Sequence, residues 1–557
     1  MKLLKLIIVL LIIVYSTACK NRSSSSNTDL AGINLLRGDL ILCNSEQFGE
    51  VSFSLSCDYN TRETFDLAVS LLHSFEYAEA EKAFVKVIDM DPDCAMAYWG
   101  VSMSIFHSLW MQSDLSYLDK GEKLLKIANN LTLEEKEEDY LDAISAFYKD
   151  WQIIDQQTRK ELYEKKMEAL YNNYKNDTEA AVFYALALRT AADPNDKAYT
   201  KQKKSGKILE DLFVKYPNHP GIAHYIIHNY DYPELAHLAL STARRYAQIA
   251  PASAHAQHMP SHIFTRLGLW EESINSNIYS TESALCYAES INPNAHWDEE
   301  LHGMDYLVYA YLQIGDNTKA KEQYDYLKTF NDVFPANFKI AYSTAAIPTR
   351  IALENKDWVE ASKLQLPDIK INWEVFPWQE AILHFGKALG FSHIGDIVSA
   401  EQELEILKSL YQELKEQNDD YKSSQVFIQI NTALAWIELA KGNNEKAITY
   451  MLKASELENN TSKHAVTPCE VLPADELLGD LYLQLNKPNE ALLAYEISLK
   501  DHPNRFNSLY GAAIAAGLVG DNKKKSFYFK TLMNQTENVI SNRPEVLEIN
   551  DYFNQIN

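Results

Sequence analysis

The stretch ADELLGDLYLQLNKPNEALLAYEISLKDHP (474–503) limits the fold more than any other part of the chain. Apolar residues recur at helical spacing on both sides of the Asn-Lys-Pro turn, which gives two helices folded back on one another. Gly479 and Ala491 are small enough to let the helices approach, Tyr482 and Tyr495 fill the seam, and Pro503 opens the next helix. The same arrangement recurs near the start, with Ala68, Ala80, Phe84 and Pro92 at corresponding places. Further helix pairs turn at GDNTKA (315–320), NKDWVEA (355–361), GDIVSA (395–400), GNNEKA (442–447) and GDNKKK (520–525). Each turn places Gly or Asn at a helix end and an acidic or polar residue to cap the helix that follows. The expected class is therefore all-α from Thr61 onward. A content of 33 Tyr with only 18 Gly and 17 Pro agrees with packed helices. A short strand or hairpin is predicted in GEVSFSLSC (49–57), and the charged segments 110–175 and 410–425 read as helical without a fixed register.

These features resemble the tetratricopeptide-repeat (TPR) superfamily over most of residues 61–535. The resemblance implies a right-handed superhelical solenoid of antiparallel helix pairs. Positions two, five, nine and twelve of each first helix would then line a concave groove where ligands bind. The blocks LLHSFEYAEAEKAF, DPDCAMAYWG, HYIIHNYDYPELA, HMPSHIFTRLGLW and PNRFNSLYGAA also resemble a group of bacterial TPR lipoproteins with an HMPSHIF-type histidine block. That likeness implies a fold and no activity.

Lys2 and Lys5 precede the apolar run LIIVLLIIVY, which ends in STAC with Cys19. The run is short for a membrane span and resembles a bacterial lipoprotein signal, in which Cys19 becomes the lipidated first residue. Ser16 stands where Leu is usual, so cleavage as an ordinary secreted protein is the alternative. The expected layout is a signal at 1–18, a lipid anchor and flexible tether at 19–30, and an extension at 31–60. A solenoid at 61–535 follows, with histidine-rich repeats at 220–310, and then a tail at 536–557. Such a protein sits on a bacterial envelope, at a periplasmic or outer-membrane face, and touches the membrane through its anchor alone. An oxidising compartment favours disulfides, and the positions of Cys57 and Cys94 before successive helix pairs predict a Cys57–Cys94 bond. With 52 basic against 77 acidic residues, the net charge of −25 argues against a nucleic-acid partner.

Nine of the 15 histidines lie between His219 and His302. His224 and His228 are four apart, as are His258 and His262, so each pair stands on one helix face. The two pairs are offset by 34 residues, one repeat. With Pro251 as a repeat-ending proline, His224, His228 and Asp231 take positions five, nine and twelve of one repeat. His255, His258 and His262 take two, five and nine of the next, and His302 and Asp305 take two and five of the third.

Three readings follow. In the first, His224, His228, His258, His262, His302 and Asp305 hold a transition metal, zinc first and copper or iron as alternatives. Mixed ligation with an open position would suit a metal-dependent hydrolase. In the second, a metal-free groove built from Asp231, His255, Tyr225, Tyr309 and Arg266, with Arg244 and Arg245 nearby, grips a peptide, a protein or a small polar ligand. The chain is then a non-catalytic scaffold or receptor. In the third, the histidines are packed and satisfied. No P-loop, HExxH, GxSxG or CxxC motif is present, and the acidic runs EEKEED and EQNDDY lack calcium-loop spacing. His73 and His107 read as core or capping residues.

Overall fold

The predicted turns determine where each helix stops. Gly315, Gly395, Gly442 and Gly520 all have φ between 75° and 83°, the left-handed conformation that ends a helix without a Cβ clash. The residue after the glycine often caps the next helix. The side chains of Asp316, Asp396 and Asp521 accept from the backbone N–H of Lys319, Ser399 and Lys524. In the fifth turn Lys356 takes the left-handed residue's place, at φ 52°, and Asp357 caps onto Glu360. Turns this short force antiparallel neighbours.

The computed structural model describes residues 30–556 apart from 31, 44–46, 110–113, 195 and 463. The signal, Cys19 and most of the tether lie outside the described residues. Among the described residues no helix is long and apolar enough to cross a membrane. The chain divides into two compact units, residues 51–191 with those up to 40, and residues 192–557 with 41–50.

In the first unit, helices run from Arg62–His73 to Thr178–Thr190, and the segment without fixed register resolves into Leu115–Ala128, Glu135–Tyr148 and Gln156–Asn173. The strand expected in 49–57 does not form. Phe53 and Leu55 alternate inward as in a strand, with Phe53 packed against Phe65, Trp99 and Tyr140. The backbone, however, bonds to side chains: Phe53 N donates to Asp66 Oδ1 (2.9 Å) and Ser56 N to Glu137 Oε1 (2.8 Å). Helix carboxylates thus replace a partner strand. A disulfide joins Cys57 and Cys94, with Cα atoms 5.0 Å apart. His73 is buried against Glu179 (2.8 Å) and stacks on Phe183.

The second unit runs from Thr200–Phe213 to Pro544–Ile556, its helices packing on the next one or two along the chain. Residues 410–425 belong to Ile397–Glu416 and Asp420–Ala440, and the stretch read as a tail contains the Pro544–Ile556 helix, with Val546 and Ile549 buried. A second disulfide, Cys43–Cys286, ties residues 41–50 to the Trp270–Ile291 helix, a pairing the cysteine spacing did not suggest. Two three-residue strands, Ala295–Trp297 and Asp332–Phe334, pair in parallel.

Tyr495 explains the glycines of the most regular pair. Its buried ring lies between the Ala474–Gln484 and Phe506–Leu518 helices, and a Cβ on Gly479 would fall 2.7 Å from it. A Cβ on Gly511 would meet the same ring more closely still. Gly511→Ala is therefore expected to cost about 1–3 kcal/mol, because neither the ring nor the helix backbone can retreat. Urea unfolding should show the loss, and Ala512→Gly, which removes a methyl without adding one, should cost less.

Candidate metal centre

The Pro220–Tyr230 helix starts with proline at its first position and carries His224 and His228 one turn apart. The Ala254–His258 helix begins after Ser253, whose hydroxyl caps Ala256 N, and this sets His255 at its second residue. The Nε2 of His224 lies 2.9 Å from that of His228 and 3.1 Å from that of His255. The Tyr246 ring stacks on His224 at 5.2 Å and fixes its plane.

The Ala254–His258 and Pro260–Arg266 helices are separated only by Met259, itself in right-handed helical conformation. His258 and His262 therefore keep their one-turn spacing, with Nε2 atoms 3.0 Å apart. His302, on Asp298–Gln313, completes the group, its ring centroid 4.2 Å from that of His258. Within each triad the ligand nitrogens all lie within 4.8 Å of one another, and all six histidines are buried.

The triads obey one rule. A histidine pair one turn apart meets a third histidine from beyond one intervening helix, first as His224, His228 and His255 across Ala236–Ile249, then as His258, His262 and His302 across the longer Trp270–Ile291. His255 is the second residue of its helix and His302 the fifth, where the repeat frame puts it second.

Protons in the second triad are set by its outer partners. Asn277 donates its Nδ2 to Ser273 O (2.8 Å), so its Oδ1 faces His258 Nδ1 (2.6 Å) and can only accept. Asp231 Oδ2 faces His262 Nδ1 (2.9 Å) and also only accepts. Both Nδ1 atoms therefore carry hydrogen, and in the neutral rings both Nε2 lone pairs point at each other. Two lone pairs 3.0 Å apart repel unless a cation lies between them. Burial, followed by repulsion from His262, pushes His258 well below the ordinary imidazole range, and burial followed by repulsion from His258 does the same to His302. Burial disfavours the added proton that would bridge them, and a metal ion would bridge them with the nitrogens moved slightly further apart. Tetrahedral zinc with Zn–N of about 2.0–2.1 Å separates ligand nitrogens by about 3.3 Å.

The surrounding charges are paired. Arg266 Nε donates to Asp231 Oδ1 (3.0 Å). Burial opposes the charge on Asp231, but Arg266 and His262 hold its carboxyl below the usual range. Glu299 Oε1 binds Lys339 and lies 3.7 Å from His255 Nδ1, while its buried Oε2 has no hydrogen-bond partner. Against burial, Lys339 and His255 keep Glu299 well below the ordinary carboxylate range.

The remaining candidates lie elsewhere. Asp305 belongs to neither triad. Arg350 Nε donates to its Oδ1 (3.1 Å), and Arg350 also donates to the carbonyls of Cys469 and Glu470 (both 2.9 Å). Tyr309 accepts from Arg505 Nη1 (3.2 Å) and packs on Trp270. Tyr225 is buried beside His224. His255, read as a groove residue, completes the first triad, and Arg244 makes an exposed ion pair with Glu272. The rings expected along an open groove are thus interior groups. Tyr306 lies over His262 with its hydroxyl 3.3 Å from Nδ1, and donates to Val466 O (3.1 Å).

Sequence reasoning missed Glu299, Tyr306 and Asn277. Glu299 and Tyr306 stand three before and four after His302 on one helix face, a signal that was legible. Asn277 comes from a neighbouring helix and gave none.

Residues 428–461, which span most of the Asp420–Ala440 and Asn444–Asn460 helices, match the tetratricopeptide repeat family model. No curated protein matches the sequence. Among solved structures, a human IFIT1 dimer with m7Gppp-AAAA is 12% identical, with 86% of this chain and 96% of that one covered at a TM-score of 0.33. The APC/C hetero-tetramer Cut9–Hcn1 is 12% identical, with 88% and 90% covered at 0.31. Naa15/Naa10 bound to HypK-THB is 12% identical, with 88% and 80% covered at 0.23. At these TM-scores neither shape nor ligand carries over. What stands is an all-α chain of helix pairs, one stretch of which matches the tetratricopeptide repeat model.

Proposed function

We propose that this chain binds two transition-metal ions, zinc before copper or iron, one in each histidine triad. The observation that carries the proposal is the facing pair of Nε2 lone pairs on His258 and His262, with their Nδ1 protons committed to Asn277 and Asp231. Outer partners of this kind orient metal-ligating imidazoles. Three ligands per ion leave a position open for water, which supports a further step, metal-dependent hydrolysis, with Glu299 Oε2 as an acceptor near the first triad. The N-terminal sequence and the two disulfides support placement in a bacterial envelope by a lipid anchor at Cys19. The TPR match favours a second role, a scaffold that docks a peptide or protein through its helical body.

Elemental analysis of the zinc-reconstituted protein tests the proposal. About two ions per chain are expected in the wild type and none in the His224→Ala/His258→Ala double variant, since each loses one of three ligands. If the folded wild type takes up no metal, the proposal fails and the scaffold reading is what remains.

A further inference from the structure

The second triad is sealed, with His258, His262 and His302 each at most 5% exposed. An ion can reach these nitrogens only if something over them moves. Helices stand on two sides, through Asn277 of Trp270–Ile291 and through Asp231 at the end of Pro220–Tyr230. Tyr306 covers a third side, its ring centroid 4.7 Å from that of His258, 5.1 Å from His262 and 5.4 Å from His302. The Tyr306 hydroxyl in turn donates to the Val466 carbonyl (3.1 Å).

Val466 belongs to a connection unlike its neighbours. Residues 461–473 join the Asn444–Asn460 helix to Ala474–Gln484, whereas 441–443 suffice to join Asp420–Ala440 to Asn444–Asn460. The described residues 464–473 form no helix or strand. Long connections of this kind in compact domains are commonly lids or binding loops. Side chains from distant helices fasten this one. Tyr306 holds the carbonyl of Val466, and Arg350 holds those of Cys469 and Glu470 (both 2.9 Å). His502 Nε2 lies 3.0 Å from the Glu470 carboxylate. At the other end the His464 ring stacks on Phe338, with centroids 4.6 Å apart, and packs beside Trp378 and Tyr421. Releasing these contacts breaks no helical hydrogen-bond ladder, whereas shifting a helix over the triad does. Val471 and Leu472 are buried in the apolar core and give the segment a fixed end.

We infer that residues 464–470 are a lid over the second triad, closed on Tyr306 and Arg350, and that an ion enters or leaves when they lift. This rests on the metal reading above and adds the route to that site.

Cys469 reports the lid without any metal. Burial pushes its thiol up to about 11, so it is unreactive while the segment is closed. The full chain is treated with N-ethylmaleimide under native conditions, and alkylation is read by mass spectrometry on the peptide that carries Cys469. Labelling is expected well ahead of global unfolding measured in the same buffer. His464→Ala removes an anchor that packs on Phe338, Trp378 and Tyr421 rather than on the triad. It is expected to speed labelling about tenfold, and to speed release of one of the two zinc ions to a chelator by a similar factor, with zinc content unchanged. His464→Phe, which keeps a ring there, should restore both rates. The wild-type labelling rate carries the test alone where the alanine variant does not fold. Labelling no faster than global unfolding makes the segment a fixed part of the core and overturns the inference. Faster labelling of the alanine variant with both zinc release rates unchanged overturns it as well. Either result leaves the metal reading standing, whereas failure to take up zinc overturns both.

Discussion

Replacing Arg505 with alanine is expected to destabilise the second unit by about 3–5 kcal/mol, the largest stability effect of any single change considered for this chain. Arg505 has no exposed side-chain surface and joins two buried carboxylates. Its Nε and Nη2 donate to Glu476 (2.6 and 2.9 Å), its Nη2 also donates to Glu354 (2.6 Å), and its Nη1 reaches the Tyr309 hydroxyl. Removing the guanidinium leaves Glu354 and Glu476 facing each other without water. The Coulomb gain of such a network is largely cancelled by desolvation while it is intact, but that cancellation ends when one partner goes. Ser508 and Asn507, which donate to Glu476 Oε2 (2.6 Å) and Glu354 Oε2 (3.0 Å), are too few to replace it. Urea unfolding monitored by circular dichroism should show an earlier transition. The triple variant Arg505→Met/Glu354→Leu/Glu476→Leu should recover much of the loss. A single variant as stable as the wild type would show that the carboxylates simply take up protons.

That network also shows where sequence reading ends. The block PNRFNSLYGAA drew notice by resemblance, yet its arginine had no assigned role. Its partners lie 151 and 29 residues away, and no local spacing connects them. Local signals fared better. Glycines at turns marked the helix ends because their left-handed backbone is a property of a few adjacent residues. The 34-residue offset of the two HxxxH pairs placed them on equivalent faces, because helical periodicity carries that information. Two things did not follow from periodicity. The pairs do not meet each other; each is completed by a histidine two helices further on, beyond Ala236–Ile249 or Trp270–Ile291, which depends on how helices cross. Asp305 shares a helix with His302 and was read as a ligand, but Arg350, 45 residues further on, takes its carboxylate. Burial was equally hidden, since the Val466 carbonyl that accepts from Tyr306 lies 160 residues away from it.

The His255→Ala variant separates the triads. It is expected to lose one of the two ions and to weaken binding at the first site by about a hundredfold or more, since even outer partners of ligating histidines are worth about 10–100-fold. The second site should keep its affinity, because His258, His262 and His302 retain their own partners, Asn277 and Asp231. The effect on the first site follows from geometry. His255 Nε2 stands 3.1 Å from His224 Nε2, and without it the His224–His228 pair offers two nitrogens from one helix and no third direction. Asp305→Asn is the contrasting change. It should leave both ions bound and instead cost stability, because Arg350 would keep its backbone partners and lose the buried Asp305 carboxylate. Zinc release to a chromophoric chelator, counted per chain under native conditions, distinguishes these outcomes. Loss of both ions on replacing His255 would mean that the triads form one centre. Loss of metal on replacing Asp305 would return that carboxylate to the ligand set and make its pairing with Arg350 a feature of the metal-free state.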